Sequence, residues 1–436
     1  MNYFTDAVLR APTLGSMCIG IMAALVGVPV VLRRSSLIGE TLSHSAYPGV
    51  MLGVLLWGFL GIDQPITIQL LLLTLAFCTS VLAYKAVLEL ESKLRVPADS
   101  ALCFVLSAFF GIGVFIASIV QFQFSSLFNL AQTYLFGQAA TLTDLQLILY
   151  FFLALLCAAL IAYFYRPIKI YLFDPSFAKV LGISTKPIEL LLLFLTALAL
   201  VVGIRAVGVV LMAALMIAPA VAARALTHHL GSLLGLSCVF GALFALLGTI
   251  LSNELTLYLS QDARVSVPTG PTIVIIAALI TFFILLFNPN NGLLFRIWRQ
   301  RRFKSQTLKE NILKTILRRK APLSFDELKD YLYVRSFSLS RALSSLAKQG
   351  WITVSNHCYL LTQEGELKAK RIQRLHRLWE VYLVDYVGLN KDRVHKSAEE
   401  MEHLITPELE RELTKLLKDP THDPHEQPIP PDEESL

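Results

Sequence analysis

The segment Ile188–Leu226 reads IELLLLFLTALALVVGIRAVGVVLMAALMIAPAVAARAL, and it decides the fold class. It holds two apolar runs separated by Arg205, each close to the roughly 20 residues that a helix needs to cross a bilayer. Because hydrocarbon offers no hydrogen-bonding partner to the backbone, such runs cross a membrane as helices. The segment therefore predicts a membrane protein with more than one span.

Apolar runs of this kind fill the first 290 or so residues, and together they predict an all-α polytopic bundle. Lys and Arg are concentrated on one side of this bundle, which predicts that the C-terminus is cytoplasmic. We expect about nine transmembrane helices, at roughly 13–32, 44–62, 66–84, 98–120, 143–164, 188–204, 206–226, 231–253 and 270–287.

Composition excludes some classes of site. No two of the six cysteines have the spacing of a CxxC motif, so neither a disulfide framework nor a thiolate metal site is indicated. The net charge of +6 is ordinary for a membrane protein with basic loops and does not require a nucleic-acid partner.

From Arg296 onward the chain is charged and predicts a second domain. A first helix is predicted at Lys309–Arg318, and the capping box of Ser324 and Glu327 opens a short second helix through Leu332. Ser336 opens a third helix, which directs Leu339, Leu343 and Leu346 inward. A short hairpin comes next, so residues 308–362 predict a winged helix-turn-helix. A winged helix that binds protein instead is the alternative. The residues that face solvent on the third helix, and would contact a major groove, are Ser338, Ser340, Arg341, Ser344, Ser345 and Lys348.

Histidine and carboxylate recur at helical spacing near the C-terminus. In VHKSAEEMEH, residues 394–403, two imidazoles and two carboxylates share one predicted helical face, and RLHRLWE adds an i, i+4 pair. Nitrogen and oxygen donors without thiolate favour Fe²⁺ or Mn²⁺. A solvated helix face is the alternative. The candidate ligands are His376, Glu380, His395, Glu399, Glu402 and His403.

Two segments of the membrane part carry further candidates. In RRSSLIGETLSHSAYPG, residues 33–49, Glu40 and His44 lie one turn apart at the start of a span. They are predicted either to contact a passing divalent cation or to be interfacial charges. In LFDPSFAKVLGIS, residues 172–184, Asp174 and Pro175 open a short helix suited to docking on a partner.

Those membrane segments, together with the late helix VGVVLMAALMIAPAVAARAL, resemble the permease subunits of bacterial ABC importers for manganese, zinc or iron. The resemblance implies that Glu40 and His44 line the transport path, although the family has Asp where this chain has Glu40. It also implies an inner-membrane location, a separate ATPase subunit, a second permease copy or paralogue, and an extracytoplasmic metal-binding protein. No phosphate-binding GxxxxGK[ST] motif is present, so the chain is not expected to be an enzyme. The residues implied to couple to the ATPase are Asp174, Pro175, Phe177, Leu181 and Gly182.

The C-terminal domain resembles the diphtheria-toxin-repressor family through LTQEG, RLHRLWE, VHKSAEEMEH and HDPHEQPIP. The resemblance implies one metal site at His376, Glu380 and His395, and a neighbouring site that includes Glu399, Glu402 and His403. In the first helix of this domain, Asn311 lies at the position that supplies a further metal ligand in the family. A dimer that binds promoter DNA is also implied.

Together these features predict a permease domain (1–290), a basic linker (291–307), a winged helix (308–362) and a helical metal-binding and dimerisation domain (363–436). A divalent ion, Fe²⁺ or Mn²⁺ with Zn²⁺ as an alternative, is expected as both cargo and corepressor. Cleavage between Phe295 and Lys309 is expected to release the regulator. The alternatives are a membrane-tethered regulator without transport and a secondary transporter with a gating domain.

Overall fold

The structure is a computed structural model that describes residues 3–6, 8–33, 36–61, 64–259, 267–289 and 292–431. The chain divides into two compact units, Met1–Leu293 and Leu294–Leu436. Arg34 and Ser35 of the predicted transport segment lie outside the described residues.

All secondary-structure elements in the described residues of the first unit are helices. Its elements are α1 (Arg10–Leu32), α2 (Ser36–Leu60), α3 (Pro65–Leu94), α4 (Ala98–Gln123), α5 (Ser125–Phe136), a 3-10 turn (Ala139–Thr141), α6 (Asp144–Tyr163), α7 (Tyr165–Phe173), α8 (Pro175–Val180), α9 (Thr185–Val207), α10 (Val209–Leu226), α11 (Leu230–Leu259) and α12 (Thr269–Phe287).

A helix lies at the place of every predicted span, but the count of nine membrane crossings is not confirmed. Seven of the described helices are long and apolar enough to cross a bilayer, judged by length and composition. The other two are α2, which carries Glu40 and His44, and α10, whose apolar stretch Leu211–Leu226 is shorter. The polar opening of α2 lowers its mean hydropathy, so composition alone does not identify it as a span.

The bundle is centred on α1, which packs against α6, α9, α10 and α11. Its contact with α11 depends on Gly20 and Gly241, because a methyl group on either residue would collide with the backbone carbonyl of the other. Small residues that let helix backbones approach closely are the usual basis of packing in membranes, where the hydrophobic effect adds little between helices. This pair therefore fixes how closely the two central helices can approach.

The second unit contains a three-stranded antiparallel sheet in the order β1-β3-β2. The predicted capping box forms, since the Ser324 hydroxyl accepts from Glu327 N and the Glu327 carboxylate accepts from Ser324 N. Its elements are α13 (Leu293–Arg319), β1 (Leu323–Ser324), α14 (Phe325–Leu332), α15 (Ser336–Lys348), β2 (Ile352–Ser355), β3 (Cys358–Leu361), α16 (Gln363–Asp385), α17 (Lys391–Met401) and α18 (Pro407–Leu416).

A winged helix-turn-helix core holds the first part of this unit together. Ile312 and Leu313 of α13 pack with Leu328 of α14 and with Leu339 and Leu343 of α15, all nearly inaccessible to solvent. The hairpin of β2 and β3 closes through Asn356 and His357, both at positive φ. The predicted winged helix is thereby confirmed in its arrangement of elements.

The basic segment predicted as a linker (291–307) is helical from Leu293 onward, where it forms the first half of α13. Arg, Leu, Lys and Gln are good helix formers, and the described chain has neither Pro nor Gly between Leu293 and Arg319. Cleavage between Phe295 and Lys309 is not supported, since proteases cut exposed flexible chain more readily than a continuous helix.

We expect Gly20→Ala or Gly241→Ala to destabilise the bundle by about 1–3 kcal/mol, because the added methyl group forces α1 and α11 apart. Thermal unfolding of the purified protein in detergent measures the loss. The matched control is Gly235→Ala, on α11 with no neighbouring atom within 4 Å of the new Cβ. That control should be neutral or stabilising by up to about 1 kcal/mol. Equal effects at Gly235 and Gly241 would contradict the close-approach explanation.

Candidate metal centres, coupling helix and recognition helix

Two helices bring metal-binding side chains together in the second unit. His376 and Glu380 lie one turn apart on α16, and His395 lies on α17, which packs against α16. The helix that carries His395 ends at Met401, so the predicted single helical face does not extend through His403.

The first cluster is formed by His376, Glu380 and His395. The His376 Nε2 atom is 3.1 Å from His395 Nδ1 and 3.3 Å from Glu380 Oε1, and His395 Nδ1 is 3.0 Å from Glu380 Oε1. Two donor atoms that each lie about 2.1 Å from one ion, with a right angle between the two bonds, are about 3 Å apart. His376 and Glu380 are buried, whereas His395 is exposed and leaves an entry from solvent. The three residues therefore fit a divalent cation.

Electrostatics favour a cation at this cluster. Burial alone would raise the pKa of Glu380, but hydrogen bonds to His376 and His395 outweigh it and lower the pKa to about 2. The carboxylate is therefore ionised at neutral pH. Since nitrogen and oxygen donors without sulfur suit first-row divalent ions, the donor set agrees with Fe²⁺, Mn²⁺ or Zn²⁺.

Two residues near this cluster were missed by the sequence reasoning. Asp423 and His425 of the C-terminal tail form a second group of possible ligands with Glu380. The Asp423 carboxylate accepts hydrogen bonds of 2.8 Å from His425 N and Gln427 N, which orient it within the turn. The signal that could have identified them is the D-x-H spacing in HDPHEQPIP, which was read only as a family pattern.

The residues predicted for the neighbouring site are not gathered in the same way. Among the described residues, neither of the two groups of ligand atoms that converge includes Glu399, Glu402 or His403. Glu399 is exposed, with Oε1 3.7 Å from His395 Nε2. His403 Nδ1 lies 2.5 Å from Glu310 Oε2 on α13. The residue of α13 that contacts His403 is therefore Glu310, whereas the sequence predicted a ligand at Asn311.

Glu402 is fully buried and is contacted by two basic side chains, those of His376 and Lys314. Its Oε2 atom is 2.5 Å from His376 Nδ1, and its two oxygens are 2.8 and 2.9 Å from Lys314 Nζ. Burial alone would raise the pKa of Glu402, but the hydrogen bond from His376 and the ammonium of Lys314 lower it. Glu402 is therefore a carboxylate, and its charge is already balanced in this structure.

In the membrane unit, Glu40 and His44 lie one turn apart on α2. Glu40 is exposed, whereas His44 is half-buried with its ring edge-on to Phe110 at 5.0 Å. The buried Nδ1 atom of His44 has no hydrogen-bonding partner among the described residues. Since buried polar atoms are nearly always satisfied, this nitrogen is suited to a ligand that the chain itself does not provide.

The predicted coupling segment forms a short helix, α8, whose apolar side chains face outward. Asp174 caps it, since Oδ1 accepts from Ser176 N at 2.7 Å and from Phe177 N at 3.1 Å. Pro175 occupies the first turn, and Gly182 ends the segment at a φ of 75°. The apolar side chains left in solvent are Phe173, Phe177, Val180 and Leu181.

On α15, the predicted recognition helix, Leu339, Leu343 and Leu346 face the core as expected. Five of the six predicted DNA-contacting residues are exposed, namely Ser338, Ser340, Arg341, Ser344 and Lys348. Ser345 is half-buried, because it lies closer to the core-facing side of the helix.

Comparison with known proteins gives two family matches. Residues 5–288 match the ABC 3 transport family, and residues 362–431 match the family described as iron dependent repressor, metal binding and dimerisation domain. The two matches fall in different parts of the chain, as the sequence predicts for a fusion.

Several relatives are membrane proteins of metal transport systems. A probable metal transport system membrane protein of Chlamydia trachomatis is 34% identical over 98% of this chain and 97% of its own length. The zinc transport system membrane protein TroC of Treponema pallidum is 32% identical, over 69% of this chain and 96% of its own. PsaBC from Streptococcus pneumoniae, solved in complex with Fab, is similar in fold, with a TM-score of 0.56 and 24% identity over 68% of this chain and 96% of its own.

Replacing a ligand of the first cluster should weaken metal binding. We expect His395→Ala and Glu380→Gln to lower Mn²⁺ affinity by at least roughly 10–100-fold, the loss that even an outer partner of a metal ligand typically causes. Equilibrium dialysis of the full chain in detergent measures it. His357→Asn, at an exposed histidine of the hairpin turn, is the control, because Asn tolerates positive φ. Unchanged affinity in both cluster variants would rule out this site.

Proposed function

The chain belongs to the ABC 3 transport family, and we propose that it is the permease of a divalent-metal importer whose C-terminal unit represses import when loaded with metal. The observation that carries the regulatory half of the proposal is the convergence of His376, Glu380 and His395 within about 3.3 Å of one another. A permease alone has no need of such a cluster outside its membrane bundle.

The proposed cargo and corepressor is Mn²⁺ or Fe²⁺, with Zn²⁺ as the alternative. Relatives of this chain are named for manganese in Bacillus subtilis and for zinc in Treponema pallidum. The donors at the C-terminal cluster are imidazole and carboxylate, which bind all three ions, so availability and geometry must decide between them.

We propose that Glu40 and His44 contact the cation as it passes through the bundle. Ionisable groups at membrane depth are costly and usually mark an ion path. The unpartnered nitrogen of His44 supports this role, as does the position of the Glu40 carboxylate one turn away on the same helix. Thr41, Ser43 and Ser80 secure the packing around α2 through hydrogen bonds to carbonyl groups, so other side chains also hold this helix in place.

We propose that α8 docks on a separate ATPase subunit. Phe177 and Leu181 are each 52% exposed, and apolar anchors that enter a pocket typically carry most of the energy of an interface. The sequence lacks a motif that cradles nucleotide phosphates, so the energy must come from that partner. A second copy or a paralogue of the permease and an extracytoplasmic metal-binding protein complete the proposed importer.

The C-terminal unit is proposed to lie in the cytoplasm and to bind promoter DNA as a dimer. Arg341 and the serines exposed on α15 supply the cation and the small donors that a major groove accepts. Metal that binds only the competent dimer shifts the population toward it, so import limits itself once the cation accumulates.

Two other classes make different predictions. A membrane-tethered regulator without transport would not take up metal, and a secondary transporter would take it up without an ATPase. The exposed apolar side chains of α8 favour the ABC importer, because neither alternative needs them.

Uptake by the reconstituted complex tests the permease. We expect Glu40→Gln and His44→Ala to abolish Mn²⁺ uptake while the ATPase stays bound, because losing one ligand does not unfold a multi-span bundle. Phe177→Asp should also stop uptake, but by releasing the ATPase from the complex. Uptake of radioactive Mn²⁺ and co-purification of the ATPase distinguish the two routes.

The control for these variants is His228→Ala, at an exposed histidine after α10. This variant should take up Mn²⁺ at the same rate as the unsubstituted protein. Normal uptake by both Glu40→Gln and His44→Ala would remove these residues from the path, and uptake without any ATPase would favour the secondary transporter.

DNA binding by the full chain in nanodiscs tests the regulator. We expect Mn²⁺-dependent binding to a fragment of its own promoter, measured by fluorescence anisotropy, and loss of the metal response in His395→Ala. Arg341→Ala should weaken specific binding by about 1–3 kcal/mol if its guanidinium reads a base edge. Lys418→Ala, at an exposed lysine in the C-terminal tail, should have little effect. Binding that is equally tight in chelator would contradict the switch.

A further inference from the structure

Lys314 occupies an unusual position for a lysine, because its ammonium group is directed into the metal-binding unit and not into solvent. Its side chain is only 21% exposed, and Nζ lies 2.8 and 2.9 Å from the two oxygens of the Glu402 carboxylate. The same Nζ atom is 3.3 Å from His376 Nδ1. Its neighbours Leu313 and Ile316 are buried in the core, so the backbone of α13 holds the lysine in this place.

An ammonium that bridges both oxygens of a buried carboxylate stands where a divalent cation bound to that carboxylate would stand. The side chain of Glu402 is completely buried, and a buried charge is stable only when a cation or hydrogen bonds balance it. Lys314 provides that balance from within the chain. A metal ion at Glu402 would have to approach within about 2.1 Å of the same oxygens, and two cations cannot share that space.

The Glu402 carboxylate also determines which nitrogen of His376 is available. A carboxylate only accepts hydrogen bonds, so the 2.5 Å contact to Glu402 places the ring hydrogen of His376 on Nδ1. A metal ion at the first cluster would therefore bind Nε2, the atom that faces Glu380 and His395. Carboxylates in this outer position commonly orient a histidine that binds metal.

We propose that Lys314 supplies, as a tethered ammonium, the positive charge that a second metal ion would supply at Glu402. The C-terminal unit therefore takes one regulatory ion, at His376, Glu380 and His395. Glu402 acts as the acceptor that orients His376, and it is not itself a ligand. This inference rests on the proposed metal-binding function, and it assigns Glu402 a role different from the one that the sequence alone implied.

The geometry of His403 agrees with a single-ion unit. Its Nδ1 atom is 2.5 Å from Glu310, while Nε2 is 3.6 Å from Glu402 Oε1. Two members of the sequence-predicted second site, Glu402 and His403, thus have partners on α13. Glu399, the third member, is more than half exposed and lies on the His395 side of the unit.

Counting Mn²⁺ bound per chain tests the proposal. The full chain in nanodiscs is dialysed against Mn²⁺, and bound metal is measured by inductively coupled plasma mass spectrometry. We expect Lys314→Gln to bind one more ion than the original chain, because Glu402 is then free to ligate. The gain should disappear in Lys314→Gln combined with Glu402→Gln. Lys314→Arg, which keeps the cation, should bind as many ions as the original chain.

The matched control is Lys304→Gln, at an exposed lysine on the same helix, and it should not change the count. No additional ion in Lys314→Gln would overturn the role of Lys314. The proposed regulatory site is tested separately in the same assay, because His395→Ala should lose one ion whatever happens at Lys314. If His395→Ala loses none, the proposed function fails at this site.

A second measurement needs no variant and so does not depend on folding of the altered chain. Acetylation of lysines by acetic anhydride is followed by mass spectrometry, with and without saturating Mn²⁺, and exposed Lys304 serves as the reference. Lys314 should react more slowly than Lys304, and Mn²⁺ should not change its rate. A rise in Lys314 reactivity when Mn²⁺ binds would show that metal displaces the ammonium, and it would overturn the proposal.

Discussion

The membrane unit depends on one constraint, which is that hydrocarbon cannot satisfy the hydrogen-bonding groups of a peptide backbone. Every apolar run must therefore be helical, and the remaining freedom lies in how closely the helices approach. In this bundle the contact of Gly20 with Gly241 brings α1 against α11, and α6, α9 and α10 pack around the same central helix. Polar residues are also present within the bundle, as on α2.

The second unit obeys a related rule, since it must balance charges that its own core buries. Glu380, Glu402 and His376 are nearly inaccessible to solvent, and each is held by a partner from another segment. A buried ion pair is a weak source of stability because desolvation offsets the attraction. In this unit the buried pair of His376 and Glu402 matters for geometry, because it fixes the orientation of the His376 imidazole that a metal ion would contact.

Joining the two units in one chain makes the concentration of regulator equal to that of the permease. The helix α13 begins a few residues after α12 ends and continues into the winged-helix core, where Ile312 and Leu313 are buried. The described basic segment from Leu294 onward is therefore part of the folded second unit. The metal-binding unit is thus synthesised in the same number of copies as the membrane bundle.

The sequence by itself determined the helical membrane bundle, the winged helix and most of the candidate ligands, because hydrophobic length, period and capping are local properties. His376 and Glu380 are one turn apart on any helix, as are Glu40 and His44. Only the tertiary structure decided which distant groups are in contact. Asp423 and His425 lie close to Glu380. Glu310 pairs with His403, and Lys314 pairs with Glu402. These contacts join residues far apart in the chain, and the packing of α13, α16 and the tail sets them. Spacing along the sequence carries no record of that packing.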